Sequence, residues 1–373
     1  MSEQPFGAEL EGMIAGKTSI CEITQDRLRY RGYAIEDLAD HCCFEEVAHL
    51  LIYEALPTSA QLAQFREMLA TFRPLPAEVL DALRMIPTNV ATTDVLRTAV
   101  SMCGHFDPVQ GDSPDDLRRR AVWLISVVAS ITTARSRIAR HEMPLEPKAG
   151  LSHAAQILYR IQGEVPTERA ERLLDLLLIL YAEHGYNAGT FTNRVIGSTR
   201  SDQVSAVVGA IGALKGTLHG GAAEQVMGML QQFDGAEQAS RWAEEVLAKA
   251  EETMGFGHPI YRQNDHRAAI LETRMRELAD EKRLTRWLDI YDAIKTSMLN
   301  RQKPLHPNLD YPCGVAYFLM GLPPALSAPL IVASRVAGWS AHYIEQHARD
   351  RIIRPLSRYV GPGEREVVSI ERR

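Results

Sequence analysis

Two histidines in the second half of the sequence stand beside glycines, where no side chain blocks the close approach of a ligand. His219 lies in the run Leu-His-Gly-Gly, and His258 lies in Gly-Phe-Gly-His-Pro. Asp310 follows in a third segment, between Pro307 and Pro312. Imidazole and carboxylate groups gathered from separate segments are typical of general acid-base catalysis. These residues therefore predict the active site of an enzyme.

A purely structural interpretation of the same residues is also open. The glycines could serve only to make tight turns, and Asp310 could simply cap a helix that starts near Gly314. However, the two glycines after His219 precede a predicted helix over 222–232. The free backbone N–H groups of that helix start would lie beside the histidine, an arrangement that suits an anionic or carbonyl ligand.

The composition is that of an ordinary globular protein. Of 373 residues, 46% are hydrophobic and 24% are charged, and the length favours one large domain with a smaller one. The net charge of −6 argues against a general binder of nucleic acid or anionic membranes. The most apolar segment, 173–182, is about half the roughly 20 residues that a membrane span requires. The N-terminus carries acidic residues and no apolar run, which argues against a secretory signal, and its acids also argue against a transit peptide.

The cysteines and one histidine-rich segment are the sequence's candidate metal ligands. Five cysteines without CxxC spacing predict neither a disulfide framework nor a thiolate metal site, and they favour a reducing cytoplasm. The segment 342–347, His-Tyr-Ile-Glu-Gln-His, has neither the HExxH nor the HxxEH spacing of helical metal motifs. No metal site is therefore predicted.

Hydrophobic periodicity predicts an all-α fold. The β-branched residues within 11–31 predict one small hairpin. After it, apolar residues recur at helical spacing, and prolines separate the segments. The predicted helices cover 35–40, 44–54, 59–72, 77–85, 92–102, 115–140, 168–183, 201–214, 222–232, 236–250, 267–280, 284–299, 314–320 and 329–349.

Several longer segments resemble a known family. They read LRYRGYAIEDLADHCCFEEVAHLL, IGALKGTLHGGA, MGFGHPIY, HPNLDYPCG, SRVAGWSAHYIEQ and IIRPLSRYVG. On these motifs the chain is similar to the citrate synthase family from Gly12 to near Val368. Within that family it is most similar to the 2-methylcitrate synthases, through LYAEHGYNAGTFTNRV, GFGHPIY, HPNLDYP with YFLMG, and RPLSRYVG.

The resemblance implies a mostly helical homodimer with shared active sites. Each subunit is expected to have a large domain, formed by residues 1–220 and 322–373, and a small domain, 221–321, that closes over the substrates. The implied substrates are oxaloacetate and an acyl-CoA. Coenzyme A enters as the thioester substrate, and no further cofactor is implied.

The resemblance assigns the family's mechanism to His219, His258 and Asp310. Asp310 matches the base that removes an α-proton from the acyl-CoA thioester. His219 matches the residue that donates a hydrogen bond to the thioester oxygen as the enol forms. His258 matches the acid that assists attack on the oxaloacetate ketone, after which the thioester product is hydrolysed.

The two carboxylates of oxaloacetate suit guanidinium groups. Arg267 and Arg335 match two carboxylate ligands of the family. Arg354 matches a third, which in the family reaches across the dimer into the neighbouring site. His184 matches a further oxaloacetate ligand, and Asn187 is expected to support its loop.

Coenzyme A is expected against the glycine loop that ends at His258. Glycine there lets backbone groups approach the adenine and pantetheine. The phosphates of coenzyme A need cationic partners, and Arg262 and Lys303 are the candidates. Exposure to solvent without a ligand is the more usual situation for such side chains. The residues expected to contact coenzyme A are Met254, Gly255, Phe256, Gly257, Arg262 and Lys303.

Four positions depart from the family pattern. Tyr181 stands where many citrate synthases have histidine, in agreement with the 2-methylcitrate branch. Ala223 replaces an asparagine, Gly189 replaces a serine, and His266 replaces a proline. Because Ala223 and Gly189 lack polar side chains near the catalytic loops, they bear on efficiency and on the exact substrate.

Three functions follow in order of preference. The first is condensation of propionyl-CoA with oxaloacetate and water to give 2-methylcitrate and CoA. The second is citrate synthesis from acetyl-CoA, because the two reactions share their machinery. The third, of another class, is a non-catalytic helical dimer for ligand sensing or scaffolding. Such a dimer has no need of the two histidines, the aspartate and the three arginines.

Overall fold

The computed structural model describes residues 13–216, 222–249, 253–258, 260–261 and 265–373. His219, Arg262 and the side chain of Ala223 lie outside the described residues.

A small antiparallel sheet opens the described chain. Strand β1 (Cys21–Ile23) pairs with β2 (Leu28–Tyr30), which pairs with β3 (Tyr33–Ala34). The hairpin predicted within 11–31 is therefore confirmed, and a third strand extends it. Residues 11 and 12 of that prediction lie outside the described ranges.

Helices make up most of the rest, and the all-α prediction is confirmed. The α-helices of the described residues are α1 (Ile35–His41), α2 (Phe44–Tyr53), α3 (Ser59–Thr71), α4 (Ala77–Met85), α5 (Thr92–Cys103), α6 (Pro114–Ala139), α7 (His153–Gln162), α8 (Glu168–Tyr181), α9 (Ala188–Gly197), α10 (Gln203–Leu214), α11 (Ala222–Leu230), α12 (Ala236–Lys249), α13 (His266–Lys282), α14 (Arg286–Leu299), α15 (Asp310–Leu319) and α16 (Ser327–Arg349).

Two helices were not predicted from periodicity, although both begin at a recognisable cap. Ser152 precedes α7 and accepts a hydrogen bond from the N–H of Ala155 at 3.1 Å. Asn187 precedes α9 and accepts from the N–H of Thr190 at 3.1 Å. These caps satisfy backbone donors that a helix start leaves unpaired.

Helix α15 begins at Asp310, so the predicted helix start near Gly314 was wrong. Asp310 is the first residue of the helix and does not lie in a turn before it. Proline is tolerated in a first helical turn, where its missing N–H would have no partner. Pro312 therefore continues the helix instead of marking its boundary. Two earlier side chains satisfy the helix start: Asp265 accepts from the N–H of Leu309 at 3.1 Å, and Asn308 accepts from that of Asp310 at 3.0 Å.

The long helix α6 lies in the core. By length and composition it could cross a membrane, but 94% of its most apolar window is buried inside the fold. Helix α16 packs along α6 and also contacts α2, α8 and α9. Helix α13 contacts both α8 and α15. This packing brings the end of α8, the starts of α13 and α15, and the middle of α16 to one place.

Candidate active site

Asp310, the predicted base, lies at the first residue of α15 and is partly buried. The hydroxyl of Tyr181, at the end of α8, donates a hydrogen bond to Asp310 Oδ1 at 2.5 Å. Burial raises the pKa of Asp310, and the hydrogen bond from Tyr181 acts in the opposite direction. A desolvated carboxylate with one strong donor is more basic than an exposed aspartate, as removal of a weakly acidic proton requires.

His258 is held as a neutral imidazole with a defined tautomer. Its Nδ1 accepts hydrogen bonds from the backbone N–H groups of Ile260 at 3.0 Å and Tyr261 at 3.2 Å. Burial lowers the pKa of His258 to about 4, and the nearby Arg267 cation acts in the same direction. At neutral pH the ring proton therefore lies on Nε2, which has no hydrogen-bond partner among the described residues and can donate to a ligand.

Backbone pairing joins the loop before His258 to the segment before Asp310. The N–H of Gly257 donates to the carbonyl of His306 at 2.9 Å, and that of Asn308 donates to the carbonyl of Gly255 at 2.9 Å. The side-chain amide of Asn308 donates to the Gly257 carbonyl at 2.9 Å. The predicted acid and base therefore lie on two segments that are fixed to each other.

Glycine is required at position 255 by both its backbone and its surroundings. Its φ is +85°, and a Cβ there would lie 2.9 Å from Cβ of Tyr311 and 2.9 Å from Val226. Gly257 also has a positive φ of +79°, but it faces open space. The loop can therefore approach a ligand closely at Gly257.

His184 and Tyr261 complete an aromatic cluster around His258. The rings of His184 and His258 are nearly perpendicular, with centroids 5.1 Å apart. His184 Nε2 lies 3.2 Å from the hydroxyl of Tyr261. Burial lowers the pKa of His184 well below its usual range, and Arg267 and His258 add to that effect. The cluster therefore offers neutral hydrogen-bonding groups.

Two buried arginines supply the positive charge of the site. Arg267 binds Asp265 through two parallel bonds, Nε to Oδ1 at 2.9 Å and Nη2 to Oδ2 at 2.8 Å. Arg335 donates from Nε to the carbonyl of Tyr181 at 2.5 Å, and its Nη groups make no hydrogen bond to any described residue. Arg267 acts electrostatically on Arg335, His184 and His258, so the four groups lie near one another. Two guanidinium groups and two imidazoles in one region suit a dicarboxylate.

A buried polar network supports the loop that carries His184. Glu183 Oε1 accepts from the N–H of Gly185 at 2.6 Å and lies 3.0 Å from His342 Nε2. His342 Nδ1 in turn lies 2.8 Å from Arg194 Nη1. The hydroxyl of Tyr30, from β2, donates to the Glu183 carbonyl at 2.7 Å. His342 is part of the histidine-rich segment 342–347, and in the structure its contacts with Glu183 and Arg194 help to hold the loop of His184 in place.

Asn187 lies where the sequence placed it, beside this loop. Besides capping α9, its amide donates to the hydroxyl of Thr190 at 3.2 Å. In the part of the chain that the structure describes, no three histidine, cysteine, aspartate or glutamate side chains are grouped to hold a metal ion. The absence of a metal stays a prediction.

Among the described candidates, Arg354 and Lys303 make no hydrogen bond or ion pair to the site within one chain. Arg354 is exposed after α16 and makes no hydrogen bond or ion pair with any described residue. Lys303 is exposed next to Pro304, which lines a cavity of about 190 Å³ beside His258 and Gly257. Met254 is 37% exposed, and Phe256 packs on Tyr311 with ring centroids 4.4 Å apart. His219 and Arg262 lie outside the described ranges.

The family model for the citrate synthase C-terminal domain matches residues 9–356. The chain belongs to the citrate synthase family. It is therefore an enzyme, a condensing acyltransferase.

Relatives and solved structures of the citrate synthase family match nearly the whole chain. A 2-methylcitrate synthase from Mycobacterium tuberculosis (strain Erdman) is 40% identical over 358 residues, 95% of this chain and 91% of the relative. A citrate synthase from Mycolicibacterium smegmatis is 38% identical over 362 residues, 96% of each chain. The citrate synthase of Thermoplasma acidophilum, in a ternary complex with carboxymethyl coenzyme A and oxaloacetate, has a TM-score of 0.91, 31% identity and 98% coverage of both chains.

The structure accounts for one departure from the citrate synthase pattern and gives the surroundings of another. A Cβ at Gly189 would lie 3.1 Å from the ring of Trp339 and 3.4 Å from the carbonyl oxygen of Ala210, so a side chain there would require these neighbours to shift. His266 starts α13, and its Nδ1 lies 3.6 Å from the Glu36 carboxylate.

Sequence reasoning missed four side chains of this candidate site: Asp265, Glu183, Tyr261 and Asn308. Asp265 had a local signal, since it is an acid two residues before a candidate arginine. Asn308 had one too, because it precedes the start of α15 and can accept from its N–H groups. Glu183 and Tyr261 stand within the family-like segments, but their side chains contact His342 and His184 from distant parts of the chain, so no local pattern identifies their roles.

Proposed function

We propose that the chain condenses propionyl-CoA with oxaloacetate and water, giving 2-methylcitrate and CoA. The observation that carries this proposal is the 2.5 Å hydrogen bond from Tyr181 to Asp310. Tyrosine at this position is the feature that the sequence shares with the 2-methylcitrate branch, and its hydroxyl lies on the proposed base. The M. tuberculosis relative supports the same assignment.

The proposed chemistry assigns one proton transfer to Asp310, one to His258, and a hydrogen bond to His219. Asp310 takes the α-proton of the thioester, and the C–H electron pair moves through the α-carbon to the thioester oxygen, forming an enolate whose oxygen accepts a hydrogen bond from His219. The enolate carbon attacks the ketone carbon of oxaloacetate, and the ketone oxygen becomes a hydroxyl by taking the Nε2 proton of His258. A water molecule then returns a proton to His258 Nε2 as its oxygen attacks the thioester carbonyl carbon; the C–S bond breaks, and the sulfur takes the proton held by Asp310, which gives the tricarboxylate and CoA. The Nδ1 bonds of His258 support its role, since they place the proton where it is needed.

Oxaloacetate is assigned to the space between the buried arginines. Arg267 and Arg335 bind its carboxylates, His184 donates a further hydrogen bond, and Asn187 holds the His184 loop. The Nη groups of Arg335, which make no hydrogen bond to any described residue, support this assignment. Coenzyme A is assigned to Met254, Gly255, Phe256 and Gly257, with Arg262 and Lys303 at its phosphates; the cavity beside Gly257 supports it.

The active form is proposed to be a homodimer in which Arg354 completes the partner's site. Its exposed position after α16 supports this, as do the apolar side chains around it. Leu356, Val360 and Val367 are each about 90% exposed in the single chain, and such apolar surface needs a cover. A second copy of the chain is the proposed cover.

Domain closure and location complete the proposal. The small domain, 221–321, is proposed to close on the large domain, 1–220 with 322–373, and to exclude water. The proposed location is the cytoplasm, and the five cysteines are all free thiols. The scheme uses no metal, no further cofactor, no nucleic acid and no membrane.

Substrate choice is tested by direct competition. Propionyl-CoA and acetyl-CoA differ by one methyl group, and a pocket discriminates by only about 1–3 kcal/mol per methylene, so both should react. We expect 2-methylcitrate to predominate when purified enzyme meets limiting oxaloacetate and equal amounts of the two thioesters. Mass analysis of the tricarboxylate measures the ratio. Predominant citrate would favour the alternative function, citrate synthesis, which the similarity to the M. smegmatis citrate synthase supports.

Tyr181→Phe should move the acid limb of the kcat profile to higher pH. The tyrosine O–H stabilises the ionised carboxylate, so its loss raises the pKa of Asp310 further. More of the base is then protonated at a given acidic pH, and turnover falls there first. The measurement is CoA release as a function of pH. Tyr311→Phe is the matched control, because the Tyr311 hydroxyl donates to the Tyr291 carbonyl and not to Asp310. An unmoved limb in Tyr181→Phe would contradict this role.

A further inference from the structure

Helix α9 contacts the segments that carry two of the proposed oxaloacetate ligands. Asn187, which caps the start of the helix, comes directly after the loop of His184. Ser198, which ends the helix, accepts a hydrogen bond at its hydroxyl oxygen from the N–H of Ile353 at 3.0 Å. Ile353 is the residue before Arg354. One helix therefore reaches both segments.

Arg194 is a fully buried cation of this helix and joins it to α16. Its exposed fraction is 0%. Its Nη1 lies 2.8 Å from His342 Nδ1 and 2.6 Å from Glu345 Oε2, and its Nη2 donates to Gln346 Oε1 at 2.9 Å. The planar guanidinium holds its donors in fixed directions. The positions of the three side chains on α16 therefore depend on this one arginine.

The first branch of contacts runs from Arg194 to the loop of His184. An arginine N–H can only donate, so His342 accepts at Nδ1 and carries its ring proton on Nε2. Glu183 Oε1 lies 3.0 Å from that Nε2 and also accepts from the N–H of Gly185 at 2.6 Å. Glu183 and Gly185 flank His184. Arg194 therefore acts on the position of His184 through one imidazole and one carboxylate.

The second branch runs from Arg194 to the segment that leads to Arg354. Gln346 accepts from Arg194 at Oε1, which leaves its amide nitrogen to donate in the other direction. That nitrogen donates to the carbonyl of Arg351 at 3.0 Å. The end of α9 binds the same stretch of backbone. Arg354 is exposed, so these bonds to the preceding residues set where its side chain begins.

We propose that Arg194 is a positioning residue for two oxaloacetate sites. It acts on the site of its own chain through His342 and Glu183. It acts on the partner's site through Gln346 and the segment of Arg354. The second action rests on the proposed homodimer with shared sites. Arg194 makes no hydrogen bond to a proposed ligand of either substrate among the described residues, so its loss should weaken oxaloacetate binding and spare the thioester.

Hybrid dimers separate the two actions. In each hybrid one chain carries Asp310→Asn, so only the site of the other chain, the active chain, can turn over. That site takes His184 from the active chain and Arg354 from the Asp310→Asn chain. Two different affinity tags allow the hybrid to be purified. The measurement is the KM for oxaloacetate, from CoA release at saturating thioester.

Each variant should show a characteristic pattern of placement. His342→Leu should raise the KM for oxaloacetate about tenfold in the active chain and leave it unchanged in the Asp310→Asn chain. Gln346→Leu should do the reverse. Arg194→Met should raise this KM in either placement. The loss of one hydrogen bond to a buried charged group suffices for a change of this size. The KM for the thioester should stay constant throughout.

His153→Leu is the matched control. His153 is also a buried histidine, 2% exposed, but its ring nitrogens have no hydrogen-bond partner among the described residues. The KM for oxaloacetate should be unchanged in both placements. Calorimetric binding of oxaloacetate to unmodified and Arg194→Met homodimers adds a readout that does not depend on the acyl substrate. We expect weaker binding by the variant.

The placements also separate the failure of this proposal from that of the shared site. An effect of Gln346→Leu in the active chain instead of its partner would contradict the shared site and still support positioning by Arg194. An effect of Arg194→Met in only one placement, or an equal rise of the KM for both substrates, would overturn the proposal. If Arg194→Met did not fold, His342→Leu and Gln346→Leu would carry the test, and no effect of either would overturn it.

Discussion

Asp310→Asn should lower turnover by on the order of 100-fold or more, because general-base removal of a weakly acidic proton is lost. The change is nearly isosteric, and the hydroxyl of Tyr181 can still donate to the side-chain oxygen. The measurement is CoA release with oxaloacetate and propionyl-CoA, followed with purified protein. The exposed Asp115, whose side chain is 90% accessible, provides the matched control as Asp115→Asn.

The same variant should remain folded, which separates chemistry from stability. Burial raises the pKa of Asp310, so the folded state disfavours the ionised carboxylate, and a neutral amide removes that cost. We therefore expect an unchanged or higher Tm at neutral pH. Near-normal CoA release by a folded Asp310→Asn protein would contradict the proposed mechanism, whatever the acyl substrate.

The fold was predictable where burial and hydrophobicity coincide. The helix predicted over 115–140 matches α6, whose apolar residues recur at helical spacing. Helices α7 and α9 were missed because their buried faces include polar residues. His153, Gln156 and Arg160 are buried in α7, and Asn193 and Arg194 are buried in α9. When tertiary contacts bury polar side chains, the polar positions no longer mark the solvent face.

The sequence predicted which residues form the candidate site, but it did not predict which of them contact one another. Glycine contexts and the family resemblance singled out His258 and Asp310 from short motifs. The bond from Tyr181 to Asp310 joins residues 129 positions apart, and no local pattern encodes it. Asp265 likewise holds Arg267 and also accepts from the start of α15, a double role that appears only once α13 and α15 are packed together.

The spacing of 342–347 also shows the limit of a local motif. Judged by spacing alone, His342 could be rejected as a metal ligand, but its actual partners could not be named. They are Glu183 and Arg194, which lie about 150 residues earlier in the chain. The function of such a histidine, here support for the loop of His184, follows from packing.

Mixing two inactive variants should restore activity, because the proposed site takes residues from both subunits. Arg354→Ala chains keep Asp310, and Asp310→Asn chains keep Arg354. Random exchange in a symmetric dimer makes about half of the dimers mixed, each with one intact site, so about a quarter of all sites should recover. CoA release after exchange measures the recovery, and native mass spectrometry measures the exchange itself.

A second mixture shows whether the recovery reports a shared site. Arg335 and Asp310 act within the site of one chain, since Arg335 binds the carbonyl of Tyr181 and Tyr181 binds Asp310. Mixing Arg335→Ala with Asp310→Asn should therefore restore nothing, because each site of a mixed dimer still lacks one of the two residues. If Arg354 acted in the site of its own chain, the mixture of Arg354→Ala and Asp310→Asn would likewise recover no CoA release. The difference between the two mixtures, with exchange proven in both, decides which subunit Arg354 serves.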